Sequence, residues 1–97
     1  MIDLFWSPRA VADLEEIRAY IAADSQAWAD LTIRRLVASV ERIRTYPDSG
    51  RVVPERQPPD LREVISGSFR IVYRQRTGVI EVVTVFRGSR AFPDVTP

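Results

Sequence analysis

The stretch from Leu61 to Arg90, LREVISGSFRIVYRQRTGVIEVVTVFRGSR, constrains the fold more than any other part of this chain. It is three runs of β-branched and aromatic residues separated by Gly67 and by the pair Thr77-Gly78, the pattern of three strands joined by tight turns. Strands are predicted over residues 61–66, 69–76 and 79–87. A two-residue loop at Thr77-Gly78 suits a hairpin and pairs Arg76 with Val79, Arg74 with Glu81, Val72 with Val83, and Arg70 with Val85. Because side chains alternate along a strand, one face then carries Phe69, Ile71, Tyr73, Ile80, Val82, Thr84 and Phe86. The opposite face mixes Arg70, Val72, Arg74 and Arg76 with Val79, Glu81, Val83 and Val85.

The first half supplies what the aromatic face packs against. Ile2 to Trp6 reads as a short strand that stops at Ser7, and Ser7-Pro8 is a strong helix start, with a capping hydroxyl and proline at the first helical position. Val11, Leu14, Ile17, Tyr20 and Ile21 follow at helical spacing. The acids Asp13, Glu15 and Glu16 lie early, where the helix dipole favours them. Asp24-Ser25 caps a second helix with Trp28, Leu31, Leu36, Val40 and Ile43 on its apolar side, ending by Tyr46-Pro47. Pro47-Asp48-Ser49-Gly50 is a turn, with Gly50 placed for positive φ, and Glu55 to Asp60, with Pro58-Pro59, reads as an extended linker. The expected architecture is α+β in the order strand, helix, helix, three strands. A helical hairpin packs on one face of a small antiparallel sheet, in a single domain over residues 1–97. Nothing obvious in the chain covers the other face, and a valine strip rimmed with arginine is expected to bind another macromolecule.

Composition removes several chemistries. The chain has no cysteine and no histidine, and all fourteen of its basic residues are arginine. Disulfides, thiolate nucleophiles and the usual base near pH 7 are therefore absent, and no cofactor or metal is expected. Arginine remains protonated at any working pH, so it clamps phosphate or carboxylate but does not accept a proton. Residues 1–46 hold six arginines against seven acids and residues 47–97 hold eight against six, a bias too mild for strong direct nucleic-acid binding. There is no apolar run long enough to cross a bilayer and no secretory pattern at the N-terminus, so a cytoplasmic protein without a membrane partner is expected.

Arg70 stands out because it lies mid-strand on the mixed face, with an ion pair to a neighbouring carboxylate as its structural alternative. Arg90, just past the last strand, is placed to join it in holding a phosphate or an acidic segment. Arg74 is expected to pair with Glu81 across the hairpin, an interaction worth only ~0.2–1 kcal/mol. Tyr73 falls on the core face, and Trp6 and Trp28 read as packing residues. The candidate target- or partner-binding set is Arg62, Arg70, Val72, Arg74, Val83, Val85, Arg87 and Arg90.

Taken in order and spacing, FWSPRAVADLEEIRAYIA, YPDSGRVVPE, LREV, FRIVY and VFRGSR resemble the RelE/ParE superfamily of toxins from type II toxin–antitoxin pairs, over nearly the whole length. The resemblance implies a cytoplasmic toxin neutralised by a cognate, ParD-like antitoxin in a toxin–antitoxin hetero-oligomer. RelE-like members cut mRNA on the ribosome, whereas ParE-like members poison DNA gyrase by binding. Laid on the nuclease pattern, Arg70 and Arg90 fall where that branch has catalytic arginines. Leu61 and Glu63 stand where it has two lysines, and Thr96 where it has a late tyrosine. RNA cleavage needs an activated nucleophile, charge stabilisation and a proton for the leaving oxygen; here the base is missing, and Glu63 on an exposed strand beside Arg62 would repel phosphate. The departures point to a ParE-like toxin directed at DNA gyrase and without catalytic residues. The nuclease using Arg70 and Arg90, and an inactive antitoxin-binding member, are the alternatives.

Overall fold

A computed structural model describes residues 2–56 and 60–95. The element order is β1 (Asp3–Trp6), α1 (Pro8–Ala22), α2 (Gln26–Thr45), β2 (Arg51–Val52), β3 (Arg62–Ser66), β4 (Phe69–Arg76) and β5 (Val79–Arg87). Both helices begin where capping chemistry places them. The Ser7 hydroxyl accepts the Ala10 N–H at 3.0 Å, with Pro8 as the first helical residue, and the Ser25 hydroxyl accepts the Trp28 N–H at 3.1 Å. Each cap satisfies a donor that the helix leaves without an internal partner. Gly67 and Gly78 turn the chain between strands at φ 58° and 73°, where a side chain would be strained.

The strands form one five-stranded sheet in the order β1-β5-β4-β3-β2. β3, β4 and β5 are antiparallel neighbours, as expected, and β2 adds a fourth antiparallel strand beyond β3. The sheet is nevertheless mixed, because β1 runs parallel to β5, with Leu4 opposite Ile80 and Trp6 opposite Val82. β2, two residues between the predicted turn and linker, pairs Arg51 with Glu63. Pro58 and Pro59 of that linker lie outside the described residues.

The β4–β5 register departs from simple alternation at one point. Arg76 faces Val79, Arg74 faces Glu81 and Tyr73 faces Val82, but Val72 then faces Thr84 rather than Val83, and Arg70 faces Phe86 rather than Val85. Val83 is the extra residue of a β-bulge. Beyond it the alternation is inverted: Val85 joins the core under the helices, and Phe86 turns to the opposite face.

Two cores result. Leu36, Val40 and Ile43 of α2 and Ala10 of α1 pack on Phe69, Ile71, Tyr73, Ile80, Val82 and Val85. Trp6, Leu14, Ile17 and Ile21 close the margin of this core, whereas Val11, Tyr20 and Trp28 are 43%, 73% and 55% exposed. The second core holds Val53, Leu61, Val72, Val83, Phe86 and Val95, with Phe92 against it. The face expected to be bare is thus covered by the chain itself, through the segment after β2 and the C-terminal segment after β5.

β1 ends at Trp6, and residues of the α1 side take over its hydrogen-bonding role along β5. The Ser7 N–H donates to the Val82 carbonyl and the Ser7 hydroxyl to the Val83 carbonyl, each at 2.9 Å. The Asp13 carboxylate accepts the Val85 N–H at 3.0 Å and the Thr84 hydroxyl at 2.6 Å. No acid occupies the first turn of α1, so Asp13 acts through this tertiary contact. Replacing Asp13 by alanine leaves two donors beside the bulge unsatisfied and is expected to destabilise the fold by about 1–3 kcal/mol. Urea unfolding of Asp13→Ala beside Glu15→Ala, an exposed position, checks this, the second variant staying within about 0.5 kcal/mol of the parent.

Candidate functional site

The inverted alternation after the bulge brings Phe86 beneath Arg70, and the candidate site is built around that arginine. Glu63 on β3 and Arg70 on β4 project to the same side of the sheet, two register steps apart. Arg70 Nε donates to Glu63 Oε1 at 2.6 Å, and Arg51 Nε of β2 donates to the other oxygen, Oε2, at 2.6 Å. The two terminal nitrogens of Arg70 donate to the two oxygens of Glu55, both at 2.8 Å, a bidentate fork. The guanidinium also lies 5.1 Å from the Phe86 ring centre and 5.4 Å from that of Phe92. The two rings meet edge to face, 5.6 Å apart.

Burial decides what this arrangement can do. The Glu63 side chain is 0% exposed and that of Arg70 9%, so both charges are withdrawn from water at a substantial desolvation cost. Charge-assisted bonds to every Glu63 oxygen and every Arg70 nitrogen offset it. The sequence reading put Glu63 on an exposed strand beside Arg62; the structure buries it under the segment after β2 and pairs it with Arg70 and Arg51. The bidentate bond from Arg70 holds the Glu55 carboxyl at about 2, far below its ordinary 4.5, and the paired carboxylates raise the Arg70 guanidinium further above its usual value. Two arginines and two carboxylates balance locally, leaving no net positive field to attract a phosphate. Glu55 is too weak a base to take a proton from a ribose hydroxyl near pH 7, and both Glu63 oxygens are occupied.

The C-terminal segment seals the site. Phe92 sets its ring edge to face against Phe86, the Val95 carbonyl accepts from Arg56 Nη1 at 2.9 Å, and the Asp94 carbonyl accepts from Arg9 Nη1 at 3.3 Å. On the opposite side of the sheet, the fully buried Tyr73 hydroxyl donates to the Pro47 carbonyl at 2.6 Å and accepts the Gly50 N–H at 3.0 Å. Desolvation raises its pKa, as befits packing rather than proton transfer. A Cβ at Gly50 would lie 2.6 Å from the Tyr73 oxygen and 2.7 Å from the Glu63 carbonyl. Gly50 is therefore required by close approach, not by a positive φ, which occurs only at Gly67 and Gly78 among the described residues.

Of the residues singled out from sequence, Arg70, Val72, Arg74, Val83 and Val85 are buried. Arg74 makes its cross-strand bond to Glu81 at 3.0 Å. Arg62 is half-buried and donates to the Gly50 carbonyl at 2.7 Å. Arg87 is half-buried on the helix side, and Arg90 is exposed. The structure therefore does not bring Arg70 and Arg90 together as one accessible pair. Thr96 lies outside the described residues. Sequence reasoning missed Glu55, Arg51, Phe86 and Phe92 as members of the site. The one available signal is the apolar pair Phe92 and Val95 after the last predicted strand. Among the described residues no group of three or more acids gathers as a metal centre would.

Removing Arg70 strands the buried Glu63 with Arg51 alone, so Arg70→Ala is expected to lose about 3–5 kcal/mol of stability. Arg90→Ala is expected to change it by less than about 0.5 kcal/mol. Denaturant titration of both variants checks this. The depressed Glu55 pKa sets a second expectation. Its stabilising contribution is complete above pH about 4.5 and disappears as pH falls through about 2. The difference in urea midpoint between the parent chain and Glu55→Gln should therefore be constant from pH 7 to 5 and close across that acid window.

Residues 4–92 match the family model described as the ParE toxin of the type II toxin–antitoxin system parDE. Toxin RelE2 of Caulobacter vibrioides is 31% identical over 91 residues, covering 93% of this chain and 99% of that protein. The Sinorhizobium fredii protein Y4kP is 30% identical over 90 residues, covering 93% and 92%. The structure of the chromosomal ParDE toxin–antitoxin system from P. aeruginosa superposes with a TM-score of 0.75 at 22% identity. It covers 90% of this chain and 96% of that one, and so shares the fold. A match across nearly the whole described sheet and hairpin, with relatives of the same length, places this chain in the ParE toxin family of type II toxin–antitoxin systems, within the RelE/ParE superfamily.

Proposed function

We propose that this chain is a binding toxin of the ParE kind: it inhibits DNA gyrase without cutting nucleic acid, acts in the cytoplasm, and is silenced by a cognate antitoxin. The observation that carries this reading is the state of Arg70. An arginine that stabilises a phosphorane must offer free N–H groups to an incoming phosphate. Here Glu55 and Glu63 engage all three of its nitrogens, the side chain is only 9% exposed, and Phe86 and Phe92 lie against the guanidinium. The lack of histidine and lysine supports the same conclusion, since the carboxylates at the site are not free to act as bases. The antitoxin half of the proposal is supported by family membership and by the shared fold with a chain of the P. aeruginosa ParDE system.

A second reading, ribosome-dependent mRNA cleavage, is favoured by the likeness to a protein named toxin RelE2 and by the exposure of Arg90. A supercoiling and cleavage assay with purified gyrase separates the two. Loss of supercoiling with trapped cleaved DNA, dependent on the dose of this chain and reversed by its antitoxin, is expected. No effect on gyrase, together with codon-specific cuts in ribosome-bound mRNA, would overturn the proposal.

A further inference from the structure

On the helix side of the sheet, across from Arg70, a cleft of about 410 Å³ opens between the α1–α2 turn and the β3–β4 turn. Arg87 at the end of β5 and Arg35 of α2 both line it. The Arg87 guanidinium lies 5.6 Å from the Tyr20 ring centre and 5.0 Å from that of Phe69, and the Arg35 guanidinium 5.8 Å from that of Trp28. All three rings belong to the same lining. Among the described residues neither arginine makes an ion pair. Asp24, an exposed residue, is the one carboxylate among the lining residues, and the Ser68 hydroxyl adds a donor.

Arg70 shows what such a setting asks of an arginine in this chain. Its guanidinium also lies over two rings, 5.1 and 5.4 Å away, and Glu55 and Glu63 take its nitrogens at 2.6 to 2.8 Å. A guanidinium held over rings keeps its N–H groups as the part able to hydrogen-bond, and those groups suit an oxyanion. Arg87 has the same two-ring setting and is half-buried, but no carboxylate of the described residues pairs with it. A cation partly withdrawn from water without a counter-charge is the unfavourable case that an external anion relieves. Arg35 places a second unpaired cation on the same cleft, against the single charge of Asp24. A carboxylate is planar and singly charged, so one guanidinium fork satisfies it. A phosphate ester carries up to two charges and three acceptor oxygens, enough for two arginines. The cleft volume lies within the ~300–1,000 Å³ usual for small-molecule sites. We infer that this cleft binds the phosphate group of a small molecule, with Arg87 and Arg35 donating to its oxygens beside the Ser68 hydroxyl. The site lies across the sheet from Arg70 and does not depend on the gyrase reading.

An NMR titration of the isotope-labelled full chain with glycerol phosphate, at fixed ionic strength, tests this. Saturable shifts are expected at the backbone amides of Ser68 and Arg87. Affinity should rise as pH increases through about 6, where the ester becomes dianionic, since arginine stays charged throughout. Arg35→Gln and Arg87→Gln should each weaken binding roughly tenfold, and Asp24→Asn should strengthen it. Arg34→Gln, at a residue that does not line the cleft, should leave it unchanged. Arg87→Gln also loses its contact with Phe69; if it does not fold, Arg35→Gln and Asp24→Asn, both at exposed positions, carry the result. A parallel titration with inorganic phosphate separates the sources: equal affinity identifies the free ion as a sufficient ligand, and tighter binding of the ester identifies a ligand that carries an organic group. Absence of saturable binding for both, equal weakening by Arg34→Gln, or tighter binding of succinate than of either phosphate would each overturn the inference.

Discussion

Val83 has no partner across the β4–β5 ladder, and the organisation of the sheet depends on that one unpaired residue. A regular hairpin would keep Phe86 under the helices and Val85 on the opposite face. The bulge exchanges them, so the smaller side chain fits below α1 and the larger one becomes the floor of a second core. Only with Phe86 in that position does Phe92 have a ring to pack against, and only then does the C-terminal segment have a reason to fold back. The exchange also needs support at the sheet's outer edge. Ser7 and Asp13 provide it by pairing with the backbone of Val82, Val83 and Val85, where no strand is available.

The charged cluster is the electrostatic counterpart of this packing. Burying Glu63 in a sheet is unfavourable unless each oxygen meets a cation, and Arg51 and Arg70 each take one. Arg70 is then committed, and Glu55 completes its coordination from a segment with little regular structure. The cluster thus ties together β2, β3, β4 and the connection between them. A position that elsewhere in the superfamily is expected to face a phosphate has here become internal.

Much of this fold is legible in the chain because local chemistry is unambiguous. Ser7-Pro8 and Ser25 start helices, Gly67 and Gly78 turn the chain, and the Thr77-Gly78 loop sets the pairing of Arg74 with Glu81. The bulge is not legible, since Val83 sits in a run of β-branched residues whose composition is the same with or without an unpaired member. The two-residue β2 is shorter than any periodicity can report. The burial of Glu63 depends on residues seven and more positions away, and the parallel pairing of β1 depends on the last strand of the sheet. Trp28 and Tyr20 occur at helical spacing with core residues, and that spacing does not show that they stay exposed. The candidate site suffered most, because the face judged to be open is closed by contacts between distant segments.

The pairing of the first strand with the last has a consequence for synthesis. Asp3 to Trp6 find their partners at Val79 to Val82, and Ser7 and Asp13 bond to residues more than seventy positions later. The amino-terminal strand has no sheet to join until residues near 87 have left the ribosome. The helical hairpin, made of local contacts, forms while its floor is still missing. A nascent chain therefore exposes the underside of α2, with Leu36, Val40 and Ile43, until β4 and β5 have emerged. The sheet is complete only once β5 is free, so a product cut short before β5 lacks the structure on which any toxic surface depends.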